Sequence, residues 1–234
     1  MQRNAIYLLL LLVAGLIALG LVMLFSTSAF AQDSHGDIYF FVKRQCMWLG
    51  IASLFGIATA YLDYHIWQKY WWAFFGAAAL LLTLCFIPHV GMRINGSSRW
   101  IKIGMTFQPS ELAKVAALFF LAWWYSRTDI SFNSFKTGLF YPMCILGVVM
   151  ILILLEVDMG NTALIGGTAV AVMFVAGAAL RWMATLIGAG LAGIAFLAFN
   201  ISERHGRLLA FMEPEKYALG EGLQQWQALI AFGS

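Results

Sequence analysis

Charged residues are scarce in this sequence, at 11% of 234 positions, whereas 62% are hydrophobic. With a mean hydropathy of +0.82, a water-soluble fold around one core would leave far too much apolar surface exposed. The solvent for such a chain is lipid. Net charge is also small: 14 basic and 11 acidic residues give +3, and the basic residues form no polybasic tail. That argues against a nucleic-acid partner and makes membrane lipid the relevant setting. Only three cysteines are present, Cys46, Cys85 and Cys144, with neither metal-ligand nor paired extracellular spacing. They read as inert packing residues inside or at the edge of apolar stretches. Also lacking are internal repeats, low-complexity tracts and a soluble domain. The period-two alternation of a membrane barrel is absent too, which leaves helices, whose backbone groups are satisfied internally, to cross the hydrocarbon. The expected fold class is all-α, a polytopic transmembrane helical bundle.

A bilayer core of about 30 Å needs roughly 20 apolar helical residues, fewer where protein shields a helix end. Seven segments meet that test: approximately Ala5 to Phe25, Cys46 to Leu62, Trp71 to Ile87, Glu111 to Trp124, Phe140 to Leu155, Thr162 to Ala179 and Trp182 to Phe199. The first is long, lacks a convincing small-residue cleavage site and is followed by further spans, so it reads as a retained helix. Polar or turn-forming stretches separate the segments, including Pro88 through Pro109 and Glu156 to Asn161. Residues 1–234 read as a single membrane domain. An apolar run opens at Ala228 with no closing charge before Ser234, so a fragment of a longer protein is expected.

Orientation meets a conflict. Arg3 and the amino group before the first span, with Asp33 and Asp37 after it, favour a cytoplasmic N-terminus. Alternating spans then place Lys69, Arg127, Lys136 and Arg181 inside, but Lys43, Arg44, Arg93, Arg99, Lys102, Arg204, Arg207 and Lys216 outside. Either the outer loops face an anionic ligand or the orientation is reversed.

Three stretches carry candidate chemistry. Residues 91–114 gather Arg93, Arg99 and Lys102 beside the turn-forming Asn95-Gly96, then enter a helix at Pro109. Guanidinium groups suit phosphate through paired donors; the plainer alternative is a snorkelling lipid-headgroup anchor. Glu111 and Lys114 stand three positions apart on one helical face and can pair. Ionisable groups at the edge of a span tend to face a bundle interior or cavity, although such a pair could serve packing alone. Glu156-Val-Asp158-Met-Gly160-Asn161 places two carboxylates between apolar runs. Asp158 either caps the following helix or lines the same external cavity as Glu111 and Lys114; both can hold. Trp71, Trp72, Trp123 and Trp124 sit at span ends, where interfacial anchors are expected.

These stretches resemble the SEDS family (shape, elongation, division and sporulation), which includes FtsW and RodA. The strongest correspondence is Asn95-Gly-Ser-Ser-Arg99-Trp-Ile101 followed by Phe107-Gln-Pro-Ser-Glu111-Leu-Ala-Lys114. Gly20 to Ser28, Phe41 to Gln45, Glu156 to Gly160, Arg207 to Pro214 and Gly222 to Gln224 are similar to further family segments, so the resemblance covers essentially the whole chain. Phe174 to Ala178 and Leu229 to Ser234 resemble the division branch more than the elongation branch. Val157 and Asn161 replace a usual proline and threonine, which bears on the backbone around Asp158. Tyr217-Ala218, Leu223 and Ala228 also depart from the family pattern.

The resemblance implies a ten-span glycosyltransferase of the bacterial cytoplasmic membrane that polymerises lipid II during division, of which this chain holds about two thirds. It implies a cytoplasmic N-terminus, basic outer loops facing pyrophosphate, a class B penicillin-binding transpeptidase partner and other division proteins. Arg99 and Lys102, with Arg93 and Arg207, are the candidates for anion contact, and Glu111, Lys114 and Asp158 for the polar cavity. The family's catalytic aspartate is expected beyond Ser234, so the chain as it stands is expected to be inactive alone. The sequence assigns no metal ligands; a divalent cation is compatible with the reaction. A lipid-linked precursor transporter and a non-catalytic division scaffold are the alternatives.

Overall fold

The computed structural model describes residues 2–28, 39–87, 90–94, 97–103, 105–129, 131–200, 215–218, 220 and 222–233. The chain divides into two compact units, Met1–Tyr64 and His65–Ser234.

The first unit is a pair of helices, α1 (Gln2–Ser28) and α2 (Phe40–Tyr61). An unbroken apolar run from Ile6 through Leu12 gives α1 an exposed hydrophobic surface on every side, the pattern of a helix whose solvent is lipid. Its 27 residues rise roughly 40 Å, enough to cross the hydrocarbon.

In the second unit, the short helix α3 (Tyr64–Lys69) leads into α4 (Trp71–Leu84). Three antiparallel strands follow, β1 (Gly91–Ile94), β2 (Ser97–Ile103) and β3 (Met105–Phe107), in the order β1-β2-β3. Then come α5 (Pro109–Tyr125), a single π turn at Lys136–Phe140 running into α6 (Tyr141–Leu155), α7 (Met159–Val175), α8 (Leu180–Asn200) and α9 (Leu223–Phe232). All seven apolar segments read from the sequence are helical, with ends shifted by a few residues. Among the described residues, two helical stretches are by length and composition alone long and apolar enough to span a membrane, Asn4–Ser28 and Lys136–Leu155.

The fold is predominantly α-helical, as expected, with one small sheet added to the helices. The stretch from Pro88 through Pro109 reads as a loop, yet Ile94 pairs with Ser97 and Gly91 with Ile101, so only Asn95-Gly96 connects the first two strands. A two-residue Asn-Gly link is a strong hairpin signal. Ile101 on β2 is 1% exposed, so the sheet seats an apolar side chain against the helices. Gly91 makes this seating close: a Cβ there would lie 2.0 Å from the Cys85 carbonyl oxygen at the end of α4, and only glycine avoids that clash.

The core lies where α4, α5, α6 and α7 meet. Ala113, Ala116 and Ala117 on α5 are fully buried, as are Ala78 and Leu82 on α4 and Ala169 on α7. Small residues at helical spacing let neighbouring backbones approach, which is how helices associate when the surrounding solvent is itself apolar. Large side chains fill the layers between, notably Phe120, Leu146, Ile153 and Met173.

The aromatic anchors expected at span ends divide into two kinds. Trp72 is exposed. Trp124 is buried, with its Nε1 donating to the Thr137 carbonyl at 2.9 Å. Trp71 packs on Phe120 and stacks on Trp123 at 4.6 Å between centroids. Trp71 and Trp123 are packing elements of the α4–α5 seam, and Trp124 ties α5 to the π turn before α6.

Candidate functional site

The amino end of α5, the amino end of α7 and strand β2 come together around one carboxylate. Asp158 is the residue before α7, and its Oδ1 accepts from the Asn161 backbone N–H at 3.1 Å. That cap satisfies one of the orphan donors at the helix start. Its Oδ2 accepts from Asn161 Nδ2 at 2.9 Å and from Gln108 Nε2 at 3.3 Å. Gln108 is itself the residue before α5. Asn161 Nδ2 also donates to Ser110 Oγ, in the first turn of α5, at 3.0 Å. The positive ends of two helix dipoles therefore lie at the same buried carboxylate, where negative charge is favoured.

Arg99 reaches this cluster from β2. Its Nη2 donates to the Val157 carbonyl at 2.7 Å, and its Nη1 stands 4.0 Å from Asp158 Oδ2. The Arg99 side chain is 28% exposed and that of Asp158 9%, so the guanidinium bridges the buried carboxylate and the outside. Strand geometry explains the reach, since residues two apart share a face: Arg99 lies on the Ile101 face, the face that packs inward.

The turn carrying Val157 is strained. Val157 has φ of 63°, and among the described residues no other non-glycine lies in the left-handed region. A β-branched residue there costs on the order of 1–3 kcal/mol and persists only where its surroundings over-determine it. Val157 N–H donates to the Leu154 carbonyl and Asp158 N–H to the Ile153 carbonyl. A proline at this position could adopt neither the dihedral nor the first of those bonds.

Behind the turn, Glu156 is 1% exposed. Burial pushes its carboxyl up to about 7; the nearby Cys85 thiol acts downward, the Asp158 charge upward and Arg99 downward. Cys85, the residue after α4, is buried with its thiol near Glu156, because α4 ends beside the α6–α7 turn.

Glu111 and Lys114 form an ion pair on α5, Nζ to Oε1 at 2.8 Å, with the glutamate exposed and the lysine side chain partly covered. Glu111 in the first turn suits the helix dipole. Ser110, one position earlier, faces Asn161; Glu111 turns outward. Arg93 stands on β1 opposite Ser98, and Lys102 on β2 opposite Thr106. Arg207 lies outside the described residues. The structure therefore joins Arg99 to Asp158 and Glu111 to Lys114 as two separate pairs. Gln108, Ser110 and Asn161 complete the Asp158 cluster without having stood out as candidates; the signal for them was position, at helix starts where amide and hydroxyl side chains serve as caps. Among the described residues, no three His, Cys, Asp or Glu side chains converge as metal ligands do.

With this geometry in hand, known proteins offer a comparison. The family described as Cell cycle protein (FtsW/RodA/SpoVE) matches residues 7–234. A probable peptidoglycan glycosyltransferase FtsW from Geobacter sp. (strain M18) is 34% identical over 218 residues, covering 92% of this chain and 59% of that protein. A chain of a peptidoglycan synthase complex that coordinates polymerization and crosslinking superposes with a TM-score of 0.71 at 28% identity, covering 96% of this chain and 64% of that one. The rod shape determining protein RodA of Thermus thermophilus gives 0.65 at 29% identity, covering 81% and 58%. The chain spans about three fifths of the length of the curated relatives it matches.

Proposed function

The chain belongs to the FtsW/RodA/SpoVE family of cell cycle proteins, and from that membership we propose that the complete protein is a peptidoglycan glycosyltransferase that polymerises lipid II in septal wall synthesis. The observation that carries this reading is the arrangement around Asp158: a partly exposed guanidinium, carried on β2 and fixed against two helix amino ends. Both features favour an anion at the mouth of the bundle. In this reading α1, α2 and α4 to α8 are seven spans of a ten-span fold in the bacterial inner membrane. A cytoplasmic amino end then puts the sheet, the α6–α7 turn and the segment after α8 together on the outer side. The contact between Arg99 and Val157 agrees with the first two sharing one end.

The reaction joins an acceptor sugar hydroxyl to the donor anomeric carbon. The hydroxyl oxygen forms the new C–O bond, its proton passes to a base, and the bond to pyrophosphate breaks with its electron pair leaving on the lipid pyrophosphate. Arg99, with Lys102, Arg93 and Arg207, stabilises the charge gathering on that leaving group. Asp158 holds Arg99, Gln108 and Asn161 in place, and its oxygens are occupied by those contacts. The Glu111–Lys114 pair lines the polar wall of the cavity. A crosslinking transpeptidase is the partner this reading implies, and FtsW-type relatives favour division over elongation.

Purified full-length protein supplied with lipid II is expected to form glycan chains. Movement of the headgroup across the bilayer without polymer would replace the polymerase by a transporter.

A further inference from the structure

The turn between α7 and α8 lies at the opposite end of α7 from Asp158. From Ala169 through Leu180 every residue is apolar or glycine. The backbone of this turn closes on itself. Gly177, at φ of 73°, donates its N–H to the Phe174 carbonyl, and Ala178 donates to that of Met173. These are the paired bonds of a Schellman motif, with Ala178 and Met173 both buried beneath it. Carbonyls that would otherwise seek water are thereby bonded within the chain, as a segment placed in lipid requires. The side chains agree, for Phe174 is 68%, Val175 86% and Leu180 71% exposed.

Cations stand beside this apolar surface. Arg181 follows Leu180; its guanidinium lies over the Trp182 ring at 4.6 Å, and its Nη2 donates to the Asn133 carbonyl at 2.9 Å. Trp182 Nε1 donates to the same carbonyl at 3.1 Å, and its ring packs on Phe135 at 5.4 Å. Those contacts bring the π turn, which opens at Lys136, to the start of α8. Ring contacts continue from Phe135 to Phe140 and from Phe140 to Tyr141, all three about half exposed. Lys136 and Arg181 are exposed as well. Asp129, the acid of the α5–α6 connection, is taken by Arg127. Among the described residues no carboxylate pairs with Lys136 or Arg181.

We propose that the α7–α8 turn and the π turn before α6 form one binding surface for an anionic phospholipid, with Arg181 and Lys136 meeting its phosphate and Phe174, Val175 and Leu180 lying among its acyl chains. Charge complementarity selects the headgroup. A guanidinium held flat on an indole presents paired donors to a phosphodiester, and basic side chains at headgroup level attract anionic lipid. The half-exposed rings of Phe135, Phe140 and Tyr141 suit the same level, where one side of a ring is apolar and the other wet. A soluble anion would answer the two cations and leave the apolar turn beside them bare; a phospholipid answers both. The proposal does not depend on polymerase activity. In the orientation proposed above, the surface belongs to the cytoplasmic leaflet.

The test titrates the full-length protein in detergent with dioleoyl phosphatidylglycerol and with dioleoyl phosphatidylcholine, which carry the same acyl chains, and counts bound lipid by native mass spectrometry. Wild type is expected to prefer phosphatidylglycerol. Lys136→Gln and Arg181→Gln are each expected to weaken its binding about fivefold, and the double variant roughly 30-fold, with phosphatidylcholine unchanged. Leu180→Gln is expected to weaken both lipids alike, because it removes chain contact rather than charge. Arg181→Gln also gives up the bond to Asn133. The Lys136 side chain bonds to none of the described residues, so Lys136→Gln carries the test even where the arginine variant fails to fold. Equal binding of the two lipids by wild type, or a preference that survives in the double variant, overturns the proposal and leaves the surface to a neighbouring protein. Displacement of phosphatidylglycerol by glycerol phosphate at matched ionic strength also overturns it, by reducing the surface to a site for free phosphate.

Discussion

The two ends of α5 are held by different chemistry. At the amino end, side chains bond side chains across elements: Gln108 and Asn161 meet on Asp158, and Ser110 receives Asn161. At the carboxyl end Gln68 Nε2 bonds Ser126 Oγ, but most bonds run from side chain to backbone carbonyl. Tyr125 Oη donates to the Gly138 carbonyl at 2.7 Å, Trp124 Nε1 to Thr137, and Arg181 and Trp182 to the Asn133 carbonyl. Each end also has an arginine. Arg99 is fixed between a carbonyl and a buried carboxylate. Arg127 lies over Trp123 and Trp124 and pairs with the exposed Asp129, whose carboxyl that hydrogen bond holds below its ordinary range. The contrast separates an end built to fix charge in a set direction from an end built to fasten a loop.

The comparison breaks most completely at Asp158. Asp158→Ala removes the cap and leaves Arg99 and Asn161 without their shared acceptor. Misplacing the guanidinium by even 1 Å is expected to lower lipid II polymerisation by about 100-fold, and loss of the cap to reduce stability by about 1–2 kcal/mol in thermal or denaturant unfolding. Tyr125→Phe sharpens the contrast from the other end. It strands the buried Gly138 carbonyl and is expected to cost about 1–2 kcal/mol, while polymerisation per folded molecule stays at the wild-type rate. Arg127→Ala is expected to leave Tm unchanged, because an exposed ion pair is screened by water and salt.

Most of the helices were legible because hydrophobic length is the dominant signal in lipid-facing chains. Glu111 and Lys114 were equally legible, since a spacing of three on a helix dictates their contact. The sheet was less so: its strands are short, and the basic residues in 91–103 suggested loop, although Asn95-Gly96 marked the hairpin. The capping role of Asp158 could be read from its place before α7, but not its meeting with Arg99, which joins positions 58 residues apart in hydrogen-bonding terms through Val157. Nor could the sequence show that Cys85 and Glu156 become neighbours. Their proximity comes from α4 and α6 ending side by side, a tertiary fact with no local pattern.

The most direct measurement compares the two arginines in the full-length protein: glycan chain formation from lipid II by Arg99→Ala and by Arg127→Ala, each corrected for the amount inserted in the membrane. The fixed-charge account predicts at least about a tenfold loss for Arg99→Ala and a wild-type rate for Arg127→Ala. Equal rates for the two variants would contradict it.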